Sequence, residues 1–507
     1  MVAQILPLAG FSLPLPVLIL LIGGVISPFV GLIAVRSGTR LREAWSFGVT
    51  AAALYAVYNL YQQVQAAAGN VLIVSSWGQN PPLSGCFEVD TLGVFMAGSI
   101  TFLGFLVSIY STSYMERESR LTEFYTLVLF LLAGLVGVTM AGDFFTLFIF
   151  WELMSISSYV LVAFLKQNWG PLEAGFKYLI MSATASAFLL LSMAFLYGMT
   201  GNLNFATFAV TFMNTPMTQW MKLLFSVLLI GFGVKAAIFP LHTWLPDAHP
   251  EAPSPVSALL SGVVIETGLY ALTRVLYLIF DPSFFKLPIA VLALLTMSIA
   301  NISALYQKDV KRLLAFSSIA QVGYMLVGLA AGTAYGVMGL LLHVFNHSLM
   351  KGVAFLSAGS LIHHADTRDI DELRGIGRTM PLTAFSLLVA VLGLGGVPPM
   401  NGFVSKVILF NSAMDSGMAW LTVAGVLNSA LSMGYYLIVM RSLLATPKES
   451  HGLHEAPLPM LGVTMFMAAL IILFGFYPQP VIQIANQAAI GLVENVSAYI
   501  QAVFSLV

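Results

Sequence analysis

Charge is what this chain has least of. Of its 507 residues only 8% are Asp, Glu, Lys or Arg, against 59% hydrophobic, and the mean hydropathy is +0.91. Soluble domains carry about 25% charged residues, so a water-soluble fold is excluded and this much apolar side chain needs lipid as its solvent. The 21 basic and 22 acidic residues leave a net charge of −1, which excludes the broad basic footprint of a nucleic-acid binder. Cys86 is the single cysteine, so the chain can neither close an internal disulfide nor hold a cysteine-ligated iron–sulfur cluster alone. No G-x-G-x-x-G or Walker sequence follows a strand-like run, which argues against dinucleotide chemistry and nucleotide hydrolysis. The expectation is an all-α integral membrane protein with no cofactor or metal of its own.

Long apolar runs are what the chain has instead. A span needs roughly 20 mostly apolar residues, and fourteen stretches qualify: 14–35, 44–66, 91–113, 121–140, 143–165, 172–199, 219–240, 254–280, 287–306, 311–331, 333–361, 380–416, 418–445 and 458–478. The first lacks the basic start of a cleaved signal peptide and reads as a true span. The twelfth is too long for one straight helix and holds Gly395, Gly396, Pro398, Pro399 and Gly402 in its middle. Loops after odd-numbered spans contain Arg36, Arg40, Arg42, Arg117, Arg120, Lys166, Lys308, Lys311, Arg312, Arg368, Arg374, Arg378, Arg441 and Lys448, whereas the other side offers only Lys222 and Lys286. By the positive-inside rule the odd loops face the cytoplasm and both termini lie outside.

Several charges fall inside these spans: Lys177, Lys235, Arg274, Lys351 and Lys406, with Glu152 and Glu266. Each costs at least about 2.5–3.5 kcal/mol at mid-bilayer. Arg274, near the outer end of its span, suits snorkelling to the interface as well as a buried role. Lys235 and Lys406 are deep, beside the helix-breaking runs Gly231–Pro240 and Gly393–Gly402. Gly/Pro-interrupted segments in corresponding positions of two halves point to a transport site at the midplane. Lys177 to Lys351 is 174 residues, Lys235 to Lys406 is 171 and Arg274 to Arg441 is 167, as a repeat of five spans would give. Five is odd, so the halves are inverted in the membrane. The expected units are residues 1–120 (spans 1–3), 121–280 (first repeat, spans 4–8), 281–445 (second repeat, spans 9–13) and 446–507 (span 14 and tail).

Lysine suits a proton relay because burial favours the neutral amine while a nearby carboxylate favours the ammonium. Glu152 is the best partner for Lys235; the matching place in the other half holds no acid and falls on Tyr324, near Gln321. His343, His347 and Lys351 recur every four residues and share one helix face. Three readings fit them: a metal-binding histidine pair, a structural polar seam, and a hydrated proton path. The glutamate of H-E-x-x-H is absent and Lys351 would repel a cation, so the proton path is preferred. The prolines of 239–255 should hold an extended, rigid cytoplasmic turn. Its His242, Asp247, His249 and Glu251 fit either a proton entrance or a solvated loop. The mixed charges of 363–374 read as a solvated face or docking surface, and the apolar 480–507 as a final helix at the outer interface or against a partner.

The runs Phe150–Met154, G-x-K-A-A-x-F-P-L-H-x-W-L-P-D-A-H-P-E-A-P at 233–253, L-L-H-V-F-N-H-S-L-M-K-G at 341–352 and P-P-M-N-G-F-V-S-K at 398–406 resemble the antiporter-like membrane subunits. These occur in respiratory complex I, in membrane-bound hydrogenases and related ferredoxin-linked complexes, and in Mrp-type sodium/proton antiporters. The resemblance covers roughly residues 90–445. It implies about fourteen transmembrane helices, two inverted five-helix repeats, broken helices 7 and 12, and a proton path along the membrane midplane. By motif match Glu152 and Lys235 are the input pair, Lys177 the span-6 lysine, His343, His347 and Lys351 the central connector, and Lys406 the exit. Protons would enter from the cytoplasm near Lys235 and leave near Lys406. Two departures stand out: Glu266 occupies a position where the family often has lysine or histidine, so that it is free to pair with Lys235 or Lys351, and the chain stops soon after span 14, without a long lateral helix.

The expected function is proton translocation by one membrane subunit of a redox-driven complex in the cell membrane. Its partners would be other membrane subunits, sister antiporter-like subunits among them, and soluble iron–sulfur subunits on the cytoplasmic side, with protons, with or without sodium, as cargo. One rival is a subunit of a Mrp-type antiporter with no redox partner. Another is a static membrane anchor for a soluble enzyme, which leaves the buried charges unexplained.

Overall fold

The computed structural model describes residues 13–67, 71–76, 85–213, 215–446 and 454–504, so Lys448 lies outside the described residues. Helices α1 (Leu15–Ser37) and α2 (Leu41–Ala66) open the chain. An antiparallel hairpin of β1 (Val71–Ser76) and β2 (Cys86–Asp90), with Val71 opposite Asp90, leads into α3 (Thr91–Tyr114). Then come α4 (Leu121–Met140), α5 (Phe144–Val162), α6 (Trp169–Thr200), the short α7 (Phe205–Met213) and α8 (Gln219–Lys235). The side chains of Asp90 and Asp143 cap α3 and α5, accepting from the backbone N–H groups of Gly93 and Thr146 at 2.7 and 2.8 Å.

After α8 the chain turns for nine residues and re-enters a helix, α9 (Leu245–Glu251). The expected extended turn at 239–255 is therefore corrected. Pro246 falls in the first turn of α9, where its missing N–H leaves no helical bond unmade. Next, α10 (Ser254–Leu259) and α11 (Ile265–Ile279) are joined by one π-helical turn at Leu260–Val264 into a single rod. Helices α12 (Lys286–Leu305), α13 (Val310–Ala331) and α14 (Ala334–Ala365) follow. The twelfth apolar stretch divides into α15 (Pro381–Gly395) and α16 (Asn401–Asp415), and α17 (Ala419–Leu444) and α18 (Leu458–Phe476) complete the expected series. The tail holds two helices, α19 (Gln479–Val493) and α20 (Val496–Phe504), where one was expected. They pack on α14, α3 and α7 of this same chain.

Among the described residues ten helices are long and apolar enough to cross a membrane. α8, α15 and α16 are individually too short, while α2 and α14 are long but carry more polar side chains, in α14 His343, Asn346, His347 and Lys351. Lipid-like surroundings suit the exterior: Phe29, Leu32, Val35 and Phe176 are exposed. The centre is α14, which packs on α3, α10, α13, α15, α16, α18 and α19. Its polar face is thus enclosed on all sides.

Candidate functional site

Two breaks in the helices build the site. At the first, α8 ends at Lys235 and Ala237 takes a left-handed φ of 54°, a strained conformation for a residue with a side chain. At the second, α15 ends in Gly396 at φ 79°, where a Cβ would come within 3.0 Å of the Lys406 chain. Breaks free carbonyls that a continuous helix would use, and in a membrane these need donors. The Leu394 carbonyl accepts from Lys406 Nζ at 2.7 Å and from Gln321 Nε2 at 3.1 Å; the Val234 carbonyl accepts from Trp244 Nε1 at 2.7 Å.

The ammonium of Lys406 therefore sits at the C-terminal, negative end of α15, and also donates to Ser429 Oγ at 3.0 Å and faces the Tyr324 ring at 4.5 Å. Lys235 is the last residue of its own helix, α8; its Nζ donates to Tyr178 Oη at 3.0 Å and Ser182 Oγ at 3.4 Å and lies 4.8 Å from the Tyr178 ring. Lys351 donates to the Leu314 carbonyl at 2.8 Å and Ser317 Oγ at 2.7 Å, and Ser317 in turn bonds Tyr436. All three lysines are almost wholly buried, and among the described residues none has a carboxylate within ion-pair distance. Helix ends, hydroxyls and aromatic faces hold these charges instead.

Between Lys351 and Lys406 the groups nearly touch. The His343 and His347 rings lie 6.2 Å apart. His343 Nδ1 is 2.8 Å from Ser405 Oγ and its Nε2 is 3.0 Å from Gln321 Oε1. Gln321 reaches the same Leu394 carbonyl as Lys406, so one amide joins the histidine to the lysine. His347 Nδ1 lies 2.6 Å from Glu266 Oε1, and both residues have no exposed surface. Glu266 stands two residues beyond the π-helical segment; such turns are frequent at functional sites.

Several expectations need correcting. Glu266 pairs with His347, and neither Lys235 nor Lys351 is its partner. Glu152 is not among these: half-buried, it is the carboxylate whose charge acts on Lys235 without a contact ion pair, and it accepts from Ser186 of α6, one turn from the Ser182 that Lys235 contacts. Lys177 is half exposed and bound to Glu173 at 2.9 Å and Asp247 at 3.1 Å, because its place in the third turn of the 32-residue α6 is near the helix start and not at mid-span. Arg274 does not snorkel to water: it is buried against Asp90 at 3.0 Å and the Tyr270 hydroxyl at 2.7 Å. Lys311, read as a loop cation, is buried and donates to the Ala252 and Pro250 carbonyls at the C-terminal end of α9. His242 lies in the break between α8 and α9, 5.5 Å from the Phe239 ring. His249 is fully buried, stacked on Phe355 at 4.5 Å.

Tyr178, Ser182, Ser317, Ser405 and Tyr436 were not foreseen, although Tyr178 adjoins Lys177 in sequence. No group of three or more His, Cys, Asp or Glu side chains with metal-site geometry occurs among the described residues.

Fold and site together define an integral-membrane helical bundle with an internal row of lysines and histidines, the class of antiporter-like membrane subunits. Residues 141–432 match the profile described as NADH:quinone oxidoreductase/Mrp antiporter, TM, and residues 80–125 that of NADH-ubiquinone oxidoreductase (complex I), chain 5 N-terminus. The chain belongs to the NADH:quinone oxidoreductase/Mrp antiporter transmembrane family. It is 34% identical to the F(420)H(2) dehydrogenase subunit N of Methanosarcina mazei over 80% of this chain and 85% of that protein. It is 34% identical to NADH-quinone oxidoreductase subunit N of Desulforudis audaxviator over 88% and 89% of the two chains. Among solved structures, a chain of the membrane-bound sulfane sulfur reductase, an archaeal respiratory membrane complex, superimposes with a TM-score of 0.89 at 30% identity, covering 96% of this chain and 99% of that one. A chain of respiratory complex I from Thermus thermophilus gives 0.75 at 25%, covering 92% and 98%. A chain of the Mrp complex from Dietzia sp. gives 0.85 at 24%, covering 97% and 100%, a likeness of fold.

Proposed function

We propose that this chain is a proton-translocating, antiporter-like membrane subunit of a redox-driven multisubunit complex. The observation that carries the reading is the set of three buried lysines, Lys235, Lys351 and Lys406, with no carboxylate in ion-pair contact among the described residues, together with His347, His343 and Gln321, which lead to Lys406. A group that must gain and lose a proton cannot be fixed in a strong ion pair, whereas neutral acceptors such as hydroxyls and the carbonyls of helix ends tolerate both states. A static anchor has no use for charges that each cost at least about 2.5–3.5 kcal/mol.

In this reading the ten apolar helices are joined by α2, α14 and the broken pairs α8–α9 and α15–α16 to make fourteen spans. Residues 121–280 and 281–445 are two inverted five-helix repeats, preceded by the helices of 1–120 and followed by the helix and tail of 446–507. The chain lies in the cell membrane with both termini outside. Glu152, Lys177 and His242 stand at the cytoplasmic entrance to Lys235; Glu266, His343, His347 and Lys351 carry the proton across the centre; Lys406 releases it outside. Redox chemistry and its cofactors belong to partner subunits, including soluble iron–sulfur proteins on the cytoplasmic side. Its energy arrives here as an electrostatic or conformational change. Sister antiporter-like subunits flank the chain.

The redox reading is preferred over a Mrp antiporter because the relatives at 34% identity are named as subunits of dehydrogenases and quinone oxidoreductases, while the Mrp likeness, at 24%, concerns the fold. Purifying the intact complex and determining its subunits and metals by mass spectrometry tests this. Iron–sulfur proteins are expected; a metal-free set of small membrane proteins would move the chain to the sodium/proton antiporters.

A further inference from the structure

A large groove lies away from the lysine row. It measures about 980 Å³ and runs between α1 and the facing ends of α5 and α6, floored by the start of α4. It forms because α1 packs on α2 and α4 while α6 packs on α5 and α8, which leaves a gap over the first two turns of α4. The walls are apolar: Leu32, Val35, Phe176 and Leu179 line it and are open to the surroundings. The rim is basic, with Arg42, Arg120 and Lys166 against one acid, Glu123. Arg42 is engaged with Glu43 at 3.1 Å. Arg120 is held in place by the Phe164 carbonyl at 2.5 Å and stands 5.1 Å over the Phe164 ring, leaving its remaining donors at the mouth. Lys166 is exposed and has no ion pair among the described residues. Both belong to the loops that the charge asymmetry assigns to the cytoplasm.

We infer that this groove binds one anionic phospholipid, its phosphate on Arg120 and Lys166 and an acyl chain against Leu179, Phe176 and Leu32. From Arg120 to Leu127 the floor descends seven residues, about 10 Å at 1.5 Å per residue, so the site runs from headgroup level into the hydrocarbon. Basic pockets between helices on the cytoplasmic side recognise acidic headgroups in this way. An apolar helix of a neighbouring subunit would leave Lys166 buried without an acceptor and Arg120 without a counter-charge, which disfavours it as the occupant. The site is independent of proton transfer and stands whether or not the lysine row conducts.

The test is photocrosslinking in the intact complex purified with its native lipid. With p-benzoylphenylalanine at Leu179, the expected adduct has the mass of an acidic phospholipid. Replacing Lys166, exposed and outside the packed core, by Gln should lower that adduct about fivefold, the factor contributed by one basic charge near an anionic surface. Adducts with zwitterionic lipid should not change. An adduct to a neighbouring subunit, or lipid adducts in bulk proportion that ignore Lys166→Gln, would overturn the inference.

Discussion

The carboxylate of Glu266 lies 2.6 Å from Nδ1 of His347, and neither side chain reaches solvent. The second carboxylate oxygen and the second ring nitrogen have no partner among the described residues. In the proposed path Glu266 is the acid between the two halves of the lysine row, exchanging its proton with His347 through a single hydrogen bond.

Such a pair is unequal to its parts. Removing one member of a buried pair leaves an uncompensated group and costs about 3–5 kcal/mol, whereas replacing both by apolar residues of similar size is often neutral. His347→Leu alone should therefore destabilise the purified complex more than Glu266→Met combined with His347→Leu, as read from thermal unfolding. Proton transport should be lost in both. Equal stability of the single and double variants would show that the pair is not coupled.

Gln321 is the amide that joins His343 to the carbonyl bound by Lys406. Gln321→Leu leaves His343 Nε2 and part of the Leu394 carbonyl unsatisfied, at a cost of about 1–3 kcal/mol. Assembly should survive with electron transfer intact, and proton pumping should fall by tenfold or so, the factor that 1.4 kcal/mol gives. Pumping at the full rate would remove Gln321 from the path.

Close packing beside Lys235 gives a subtler handle. A Cβ on Gly268 would come within 2.7 Å of the Ala236 nitrogen and 3.1 Å of Lys235 Cβ. Gly268→Ala must push the end of α8 away, at about 1–3 kcal/mol. Reduced pumping with normal subunit content is expected in reconstituted vesicles, whereas Gly462→Ala, which meets open space, should behave as the parent.

Outside the spans, burial pushes the Glu88 carboxyl up to about 7, against the hydrogen bonds from Tyr499 and Asn204 that pull it down. The unfolded chain gives up this proton near the ordinary carboxylate value and the folded chain near neutrality. Stability is therefore highest below the ordinary value and falls as pH rises to about 7, by on the order of 3 kcal/mol. Hydrogen exchange in β2 and α20, which Glu88 and Tyr499 tie together, should speed up over this range, and Glu88→Gln should abolish the trend.

Much of the architecture was readable because lipid imposes one rule on every span. All fourteen apolar stretches coincide with helices, and the Gly/Pro runs beside Lys235 and Lys406 are where α8 and α15 stop. The partners were harder. Ser, Thr and Tyr are scattered through every span, and which of them faces Lys235 depends on the rotation of α6: Tyr178 points inward while its neighbour Lys177 points out. Lys311 looked like a loop cation because it begins an apolar run, yet the C-terminal end of α9 closes over it. The partner of Glu266 was not legible because lysines are the charges of opposite sign in the spans, while the face of α14 that meets it presents His347.

The most direct test measures protons moved per electron in vesicles containing the reconstituted complex, comparing the parent with Lys235→Ala and Lys406→Ala. Electron transfer should continue while the ratio drops by the share this subunit carries, and equally for both variants, since each interrupts the proposed path. An unchanged ratio in both, with the altered chain present in full amount, would contradict proton translocation by this subunit and leave it a membrane anchor.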